Sequence, residues 1–183
     1  MSNLIQTLLS IKNPRNNFIE RPELIQGYTE EEIKQIEQKY NIPIHGQFKE
    51  FLMTMGKCSG GLLFSDEIYI YSDSYANHYL DDYIREVIQE DSDYEYLMQF
   101  LGNVDLVEKR FVIFAGINEH IIQYFMLTAD DNDIVYEWDE NKETVKAFGT
   151  LFDFLKYYRQ ITTSKITGKE HNYFKELTTG RLL

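Results

Sequence analysis

The feature that most constrains the fold is a row of three short segments rich in β-branched and aromatic residues. The segments are RFVIFAG (110–116), HIIQYFMLT (120–128) and DIVYEWD (133–139), and only a few residues separate each from the next. Val, Ile, Phe, Tyr and Trp favour strands, and such short connections favour hairpins. The spacing therefore predicts three consecutive strands of one antiparallel sheet.

A helix is predicted ahead of this sheet, starting after Thr29. Thr29 and Glu32 have the spacing of a capping box, in which each side chain bonds the backbone N–H of the other residue. Apolar residues then recur at helical spacing as far as Tyr40. Pro43 disfavours helical dihedrals in the residue before it, so we expect the helix to end near Asn41.

Three further helices follow from the same periodicity. One short amphipathic helix is predicted over residues 1–11, and a second runs from about 45 to 55, with Gly56 suited to its C-terminal end. The third closes the domain from Thr150 to about Gln160, where Leu and aromatic residues form an apolar stripe.

The stretch between the helical pair and the hairpins is less regular. LLFSDEIYIYS (62–72) predicts one or two strands, and residues 79–101 predict a helix that the acidic run 90–93 interrupts. Together the elements predict an α+β fold. It has an N-terminal helical pair, a central antiparallel sheet of about five to six strands and a closing C-terminal helix.

Net charge limits the classes of partner. Thirty acidic residues against 18 basic ones give a formal charge of −12. Such a surface repels phosphate backbones and anionic membranes, so the sequence predicts no direct binding to nucleic acid or to membranes. It attracts a basic partner and speeds the encounter with it. The plainer alternative is an acidic surface that serves solubility alone.

Cysteine content and the N-terminal sequence predict the compartment. Cys58 is the single cysteine, so no intramolecular disulfide forms. Residues 1–15 lack the charged region and uninterrupted apolar core of a signal peptide, and no apolar run reaches the roughly 18 residues of a membrane span. We therefore expect a cytoplasmic protein. The sequence does not specify its oligomeric state.

The order of these elements resembles the SUKH superfamily. The main carrier of the resemblance is TEEEIKQIEQKYNIPIHGQFKEFLMTMG (29–56), which has an acidic first helix, the turn proline Pro43 and an F-x-x-F-L helix. Gly60-Gly61, the hairpin at 111–127, Tyr136-x-Trp138-Asp139 and Phe152-x-x-Leu155 follow in the order typical of that superfamily.

The resemblance implies domain limits and a function. A SUKH-like domain is expected over 25–160, with an acidic insertion at about 79–109, an N-terminal helix and connector over 1–24, and a C-terminal extension over 161–183. Bacterial members are mostly immunity proteins that bind and neutralise a polymorphic toxin, often a nuclease or nucleic-acid deaminase. A fungal branch contains an interaction hub that regulates cell-wall synthesis. Neither branch implies an enzyme or a cofactor.

Two acidic stretches are the predicted docking surface for a basic toxin. Residues 81–95 and 130–143 each contain seven carboxylates, and tyrosines, which are common interface anchors, lie among them. The predicted partner-binding residues are Asp81, Asp82, Tyr83, Glu86, Glu90, Asp91, Asp93, Tyr94, Asp130, Asp131, Asp133 and Glu137. The alternatives for both stretches are a merely solvated face, paired catalytic carboxylates or a calcium site at Asp130-x-x-Asp133.

Other chemical motifs are incomplete. The four histidines at 45, 78, 120 and 171 have no paired spacing, and with a single cysteine they predict no structural zinc site. GKCSGG (56–61) lacks the first glycine of a phosphate loop and follows a helix, so it predicts a turn. A nucleophilic role for Cys58 would require a histidine brought beside it by the fold.

Overall fold

The computed structural model describes residues 3–12, 20–40, 42–63, 111–117, 122–130, 132–142, 144–161, 179 and 182–183. Within these ranges it is an α+β protein with four α-helices and a four-stranded sheet. The helices are α1 (Asn3–Ser10), α2 (Glu30–Tyr40), α3 (Gly46–Met55) and α4 (Leu151–Ile161). The strands are β1 (Phe111–Ile117), β2 (Ile122–Leu127), β3 (Ile134–Asp139) and β4 (Thr144–Thr150).

The sheet is an antiparallel meander in the order β1-β2-β3-β4. The three strands predicted from 110–139 are confirmed, and β4 is an additional strand that the sequence did not indicate. The pairing of β3 with β4 shifts register between Val135 and Tyr136. This shift disturbs the alternation of side chains along β4. The prediction of five to six strands is not confirmed. Of its 62–72 segment only Leu62 and Leu63 are described, and both lie in a turn. The predicted helix at 79–101 lies outside the described residues.

The capping box predicted at the start of α2 is confirmed. Thr29 N–H donates to Glu32 Oε2 at 2.8 Å, and Glu32 N–H donates to Thr29 Oγ1 at 3.2 Å. Lys57 adds an ion pair to the same carboxylate at 2.5 Å, and its hydrogen bond is the largest cause of the lowered pKa of Glu32. The first turn of α2 is thereby joined to the second residue after the end of α3.

The helices share one core with one face of the sheet. Alternation in β2 directs Tyr124 and Met126 into this core, together with Val135 of β3. The core also includes Leu4 and Leu8 of α1, so the N-terminal helix packs with α3 and α4. Phe125 and Leu127 are buried on the opposite face, where Phe125 stacks on Tyr136 with ring centroids 5.4 Å apart. None of the helices in the described ranges is long and apolar enough to cross a bilayer.

Candidate functional site

The second acidic stretch is the part of the predicted docking surface that the structure describes. It begins in the turn between β2 and β3, where Asp130 is half-buried, and continues along β3 through Asp133 and Glu137. Asp131 lies outside the described residues, as does the whole of the first stretch, which contains Asp81, Asp82, Tyr83, Glu86, Glu90, Asp91, Asp93 and Tyr94.

Asp133 caps the start of α3. Its Oδ1 accepts a hydrogen bond from the backbone N–H of Gln47 at 2.7 Å, which satisfies one of the unpaired donors of the first helical turn. Gly46 permits this contact, because it has a left-handed φ of 52° and a Cβ there would lie 2.2 Å from Asp133 Oδ1. The backbone of Asp133 is itself left-handed, with a φ of 53°.

The turn between β2 and β3 also anchors the start of α4. The backbone carbonyl of Asp133 accepts the N–H of Leu151 at 3.0 Å, and Gln47 Oε1 accepts the N–H of Phe152 at 2.8 Å. His45 Nε2 lies 2.9 Å from the carbonyl oxygen of Thr128. The start of α3, the β2–β3 turn and the start of α4 therefore meet at one hydrogen-bonded junction.

We expect Asp133→Ala to lower the free energy of unfolding by about 1 kcal/mol, because it removes the cap of α3. Urea denaturation of the unmodified chain and the variant measures this difference. Asp133→Asn is the matched control, since its side-chain oxygen still accepts from Gln47 N–H. Equal stability of Asp133→Ala and the unmodified chain would contradict the capping role.

Glu137 lies on the helix-facing side of the sheet, with its side chain 13% exposed. Tyr124 OH donates to Glu137 Oε2 at 3.0 Å, and Lys146 Nζ lies 2.7 Å from Oε1. The pairing register places Glu137 opposite Tyr124 on β2 and opposite Lys146 on β4. Both oxygens of this carboxylate are thus engaged within the fold.

The electrostatics of this cluster keep the Tyr124 phenol and the Lys146 ammonium in their ordinary protonation states. Burial is the main cause of the raised pKa of Tyr124, with hydrogen bonds to Tyr157 and Glu137 adding to it, so the phenol remains a donor. The hydrogen bond to Glu137 raises the pKa of Lys146, which therefore remains a cation. The aromatic ring of Phe148 packs edge-on against Tyr124 and covers the cluster from β4.

Asp139 ends β3 and is buried. Its oxygens accept the backbone N–H of Lys142 at 3.2 Å and the ammonium of Lys142 at 2.5 Å. The hydrogen bond from Lys142 is the main cause of its lowered pKa. Asp139 therefore caps the short 3-10 helix Glu140–Lys142 that turns the chain into β4.

Several of the described carboxylates pair with cations. A resolved shift lowers the pKa of Glu23, Glu32, Asp139 and Asp153, each beside a lysine or arginine. A carboxylic acid that donates a proton near neutral pH needs a raised pKa. Among the described residues, no three His, Cys, Asp or Glu side chains group into a potential metal site.

The charge pattern found Asp133 and Glu137 but did not reveal what they contact. Their partners are Gln47 on α3 and Tyr124 and Lys146 on neighbouring strands. The alternation of side chains along a strand was the only sequence feature that pointed to a partner of Glu137, since it places Tyr124 on the core face of β2. The pairing with Glu137 also needs the strand register, which sequence does not specify.

Exposed carboxylates also occur on α2 and α3. Glu31 and Glu50 are exposed, and Glu30, with 58% of its side chain exposed, pairs with Lys49 at 2.9 Å. Such an exposed pair contributes little to stability, so these side chains can change partners at low cost. This acidic face was not among the predicted docking residues.

Comparison with known families gives one match. The SUKH_6 family model, described as SMI1-KNR4 cell-wall, matches residues 30–155. The matched range runs from the first residue of α2 to the middle of α4. No curated protein and no solved structure gives a significant match.

Proposed function

This chain belongs to the SUKH superfamily, and we propose on that premise that it is an immunity protein that binds and neutralises a cognate polymorphic toxin. The observation that carries the proposal is the family match over residues 30–155, in a chain whose net charge is −12. The inhibitor acts in the cytoplasm by forming a stoichiometric complex, and it catalyses no reaction.

The charge argues for a basic toxin. Enzymes that act on nucleic acid carry positive grooves for the phosphate backbone. An acidic inhibitor is drawn to such a groove and blocks it, and charge complementarity raises the association rate. We therefore propose a nuclease or nucleic-acid deaminase as the partner, with a buried area of about 1,200–2,000 Å².

The intrachain bonds of the second acidic stretch bear on where the toxin docks. The carboxylates of Asp133 and Glu137 cap α3 and bind Tyr124 and Lys146, so using them in an interface would break contacts of the fold. We therefore propose that residues 81–95 supply most of the docking charge, with Tyr83 and Tyr94 as aromatic anchors.

Growth rescue tests the function. The chain is co-expressed with each candidate toxin encoded beside it, and growth, complex formation and toxin activity are measured. We expect restored growth and a one-to-one complex with one toxin. Failure of every candidate on both measurements would contradict the immunity function.

Charge reversal tests the docking surface. Asp81→Lys with Asp82→Lys is expected to slow association with the toxin about tenfold at low salt and to flatten its salt dependence. Glu31→Lys with Glu50→Lys is the matched control, because it changes the net charge by the same amount on α2 and α3, outside residues 81–95. Equal slowing by the two pairs would mean that overall charge, not residues 81–95, directs docking. Stopped-flow binding over a salt series separates these outcomes.

The description of the matching family supports one alternative. A cell-wall regulator of the SMI1-KNR4 type would be a protein-interaction scaffold without a toxin partner. Affinity purification from the native cells distinguishes the two functions. A scaffold would recover a stable non-toxin partner and would give no growth rescue.

A further inference from the structure

Two residues from beyond the family match pack against the helical pair. Thr179 and Leu182 are almost completely buried, with 0% and 1% of their surfaces exposed. Leu182 belongs to the same core as α2 and α3. The family match ends at residue 155, so these two anchors are additions to the matched domain.

Hydrogen bonds hold both anchors. The carbonyl oxygen of Leu182 accepts from Lys39 Nζ and from Tyr40 OH, each at 3.1 Å. The backbone N–H and Oγ1 of Thr179 both donate to the carbonyl oxygen of Gly56, at 3.2 and 2.6 Å. The hydroxyl of Tyr28 lies 3.4 Å from Thr179 Oγ1.

These contacts have the character of peptide recognition. They combine hydrogen bonds to the main chain, which any sequence can make, with one buried leucine and one buried threonine three residues apart. Domains that bind extended peptides use the same two kinds of contact. Main-chain hydrogen bonds supply affinity, and side-chain pockets supply specificity. Lys39, Tyr40 and Gly56 all lie within the family match, whereas their occupants do not.

We propose that this surface, the strap site formed by Tyr28, Lys39, Tyr40 and Gly56, binds a protein segment with the pattern Thr-x-x-Leu. The chain's own Thr179 and Leu182 fill the strap site in the structure, and a partner segment of the same chemistry displaces them. The net charge of −12 favours a basic partner segment, and the resident one carries Arg181 between its anchors.

Displacement has a quantitative consequence. A tethered segment competes at an effective concentration on the order of millimolar. A free peptide of the resident sequence therefore binds the intact chain with an apparent Kd that is at least millimolar, however tightly the empty strap site binds it. A partner segment that binds the site more tightly than the resident one has a lower apparent Kd. Releasing the resident segment lowers the apparent Kd to its intrinsic value.

The test uses the full chain and a fluorescein-labelled peptide of residues 172–183, NYFKELTTGRLL. Leu182→Asp in the chain is expected to lower the apparent Kd for this peptide at least tenfold relative to the unmodified chain. Adding Lys39→Met and Tyr40→Phe to that variant should remove most of the gain. A peptide carrying Leu182→Asp is the control and should not bind.

Fluorescence anisotropy measures peptide binding, and circular dichroism shows whether each variant is folded. A folded Leu182→Asp chain that binds no more tightly than the unmodified chain would overturn the proposal. Should that variant lose its fold, Leu182→Ala replaces it with the same expected direction. No toxin enters the measurement, so its outcome is independent of the immunity function.

Discussion

Replacing Arg159 by methionine is expected to lower the free energy of unfolding by about 3–5 kcal/mol, which is the usual cost of removing one partner from a buried ion pair. Arg159 is on α4, and only 1% of its surface is exposed. Methionine has a similar length and fills much of the same volume. The loss therefore comes from polar groups left unpaired and not from a cavity.

The guanidinium joins three segments that are distant in sequence. Its Nε and Nη2 donate to the carbonyl oxygen of Ile11, at 3.2 and 3.0 Å, and Nη1 donates to that of Leu62 at 2.5 Å. Nη2 also pairs with Glu20 Oε1 at 2.6 Å, where 17% of the glutamate side chain is exposed. Without the arginine, two carbonyl groups and one carboxylate lose their partner together.

A matched variant on the same helix separates this effect from loss of charge. Lys156→Met also removes one cation from α4, but the side chain of Lys156 is 37% exposed and pairs with Asp153 three residues earlier. We expect that control to change stability by less than about 0.5 kcal/mol. Urea denaturation of both variants measures the difference. Equal, small losses would show that Arg159 does not hold the N-terminal segment to α4.

Arg159 shows why part of the fold could not be predicted from the sequence. An arginine near the C-terminal end of an amphipathic helix is usually exposed and complements the helix dipole. Nothing local signals that Ile11, Glu20 and Leu62 converge on it, because each contact spans about 100 residues or more. Both Ile11 and Glu20 precede the matched range of 30–155, so the family pattern could not supply these contacts either.

Local patterns succeeded where the determinants were local. The capping box at Thr29 and Glu32, the three helices that follow and the hairpin strands each depend on residues within a few positions of one another. The end of α3 was placed correctly, although Gly56 is right-handed, with a φ of −61°, and not the left-handed residue typical after a helix. β4 was missed because the register shift opposite Val135 and Tyr136 disturbs its alternation.

The candidate site was predicted only as a distribution of charge. Counting carboxylates identified the 130–143 stretch but treated its members alike, whereas the fold gives them different tasks. Asp133 caps α3, Asp139 caps a 3-10 turn, and Glu137 binds a buried phenol. The tasks of Asp133 and Glu137 depend on which strand or helix lies opposite, and that information is in the tertiary structure. Charge alone therefore overstated how many of these residues are available to a partner.

Gly27→Ala is expected to destabilise the protein by about 3 kcal/mol, near the upper end of the usual cost of overpacking. A Cβ at residue 27 would lie 1.8 Å from the carbonyl oxygen of Met53 and 2.1 Å from its carbonyl carbon. These are backbone atoms within α3, so no side-chain rotation relieves the overlap. The connector before α2 must move away from α3 instead.

That movement would break the bonds that fix the connector. The carbonyl of Gln26 accepts from the N–H groups of Lys57 and Cys58, and the N–H of Tyr28 donates to the carbonyl of Leu52, all at 2.9 Å. Tyr28 in turn lies beside Thr179 in the strap site. Gly27→Ala should therefore also loosen the strap site, and the labelled peptide should bind the Leu182→Asp chain less tightly when that chain also carries Gly27→Ala.

Gln26→Ala is the control, because the exposed side chain of Gln26 is removed while its backbone bonds remain. We expect it to stay within about 0.5 kcal/mol of the unmodified chain. If Gly27→Ala were equally mild, the connector would have room to shift, and its close approach to α3 would not be a requirement of the fold. If Gly27→Ala destabilised the protein without changing peptide binding, the connector would support the core but not the strap site.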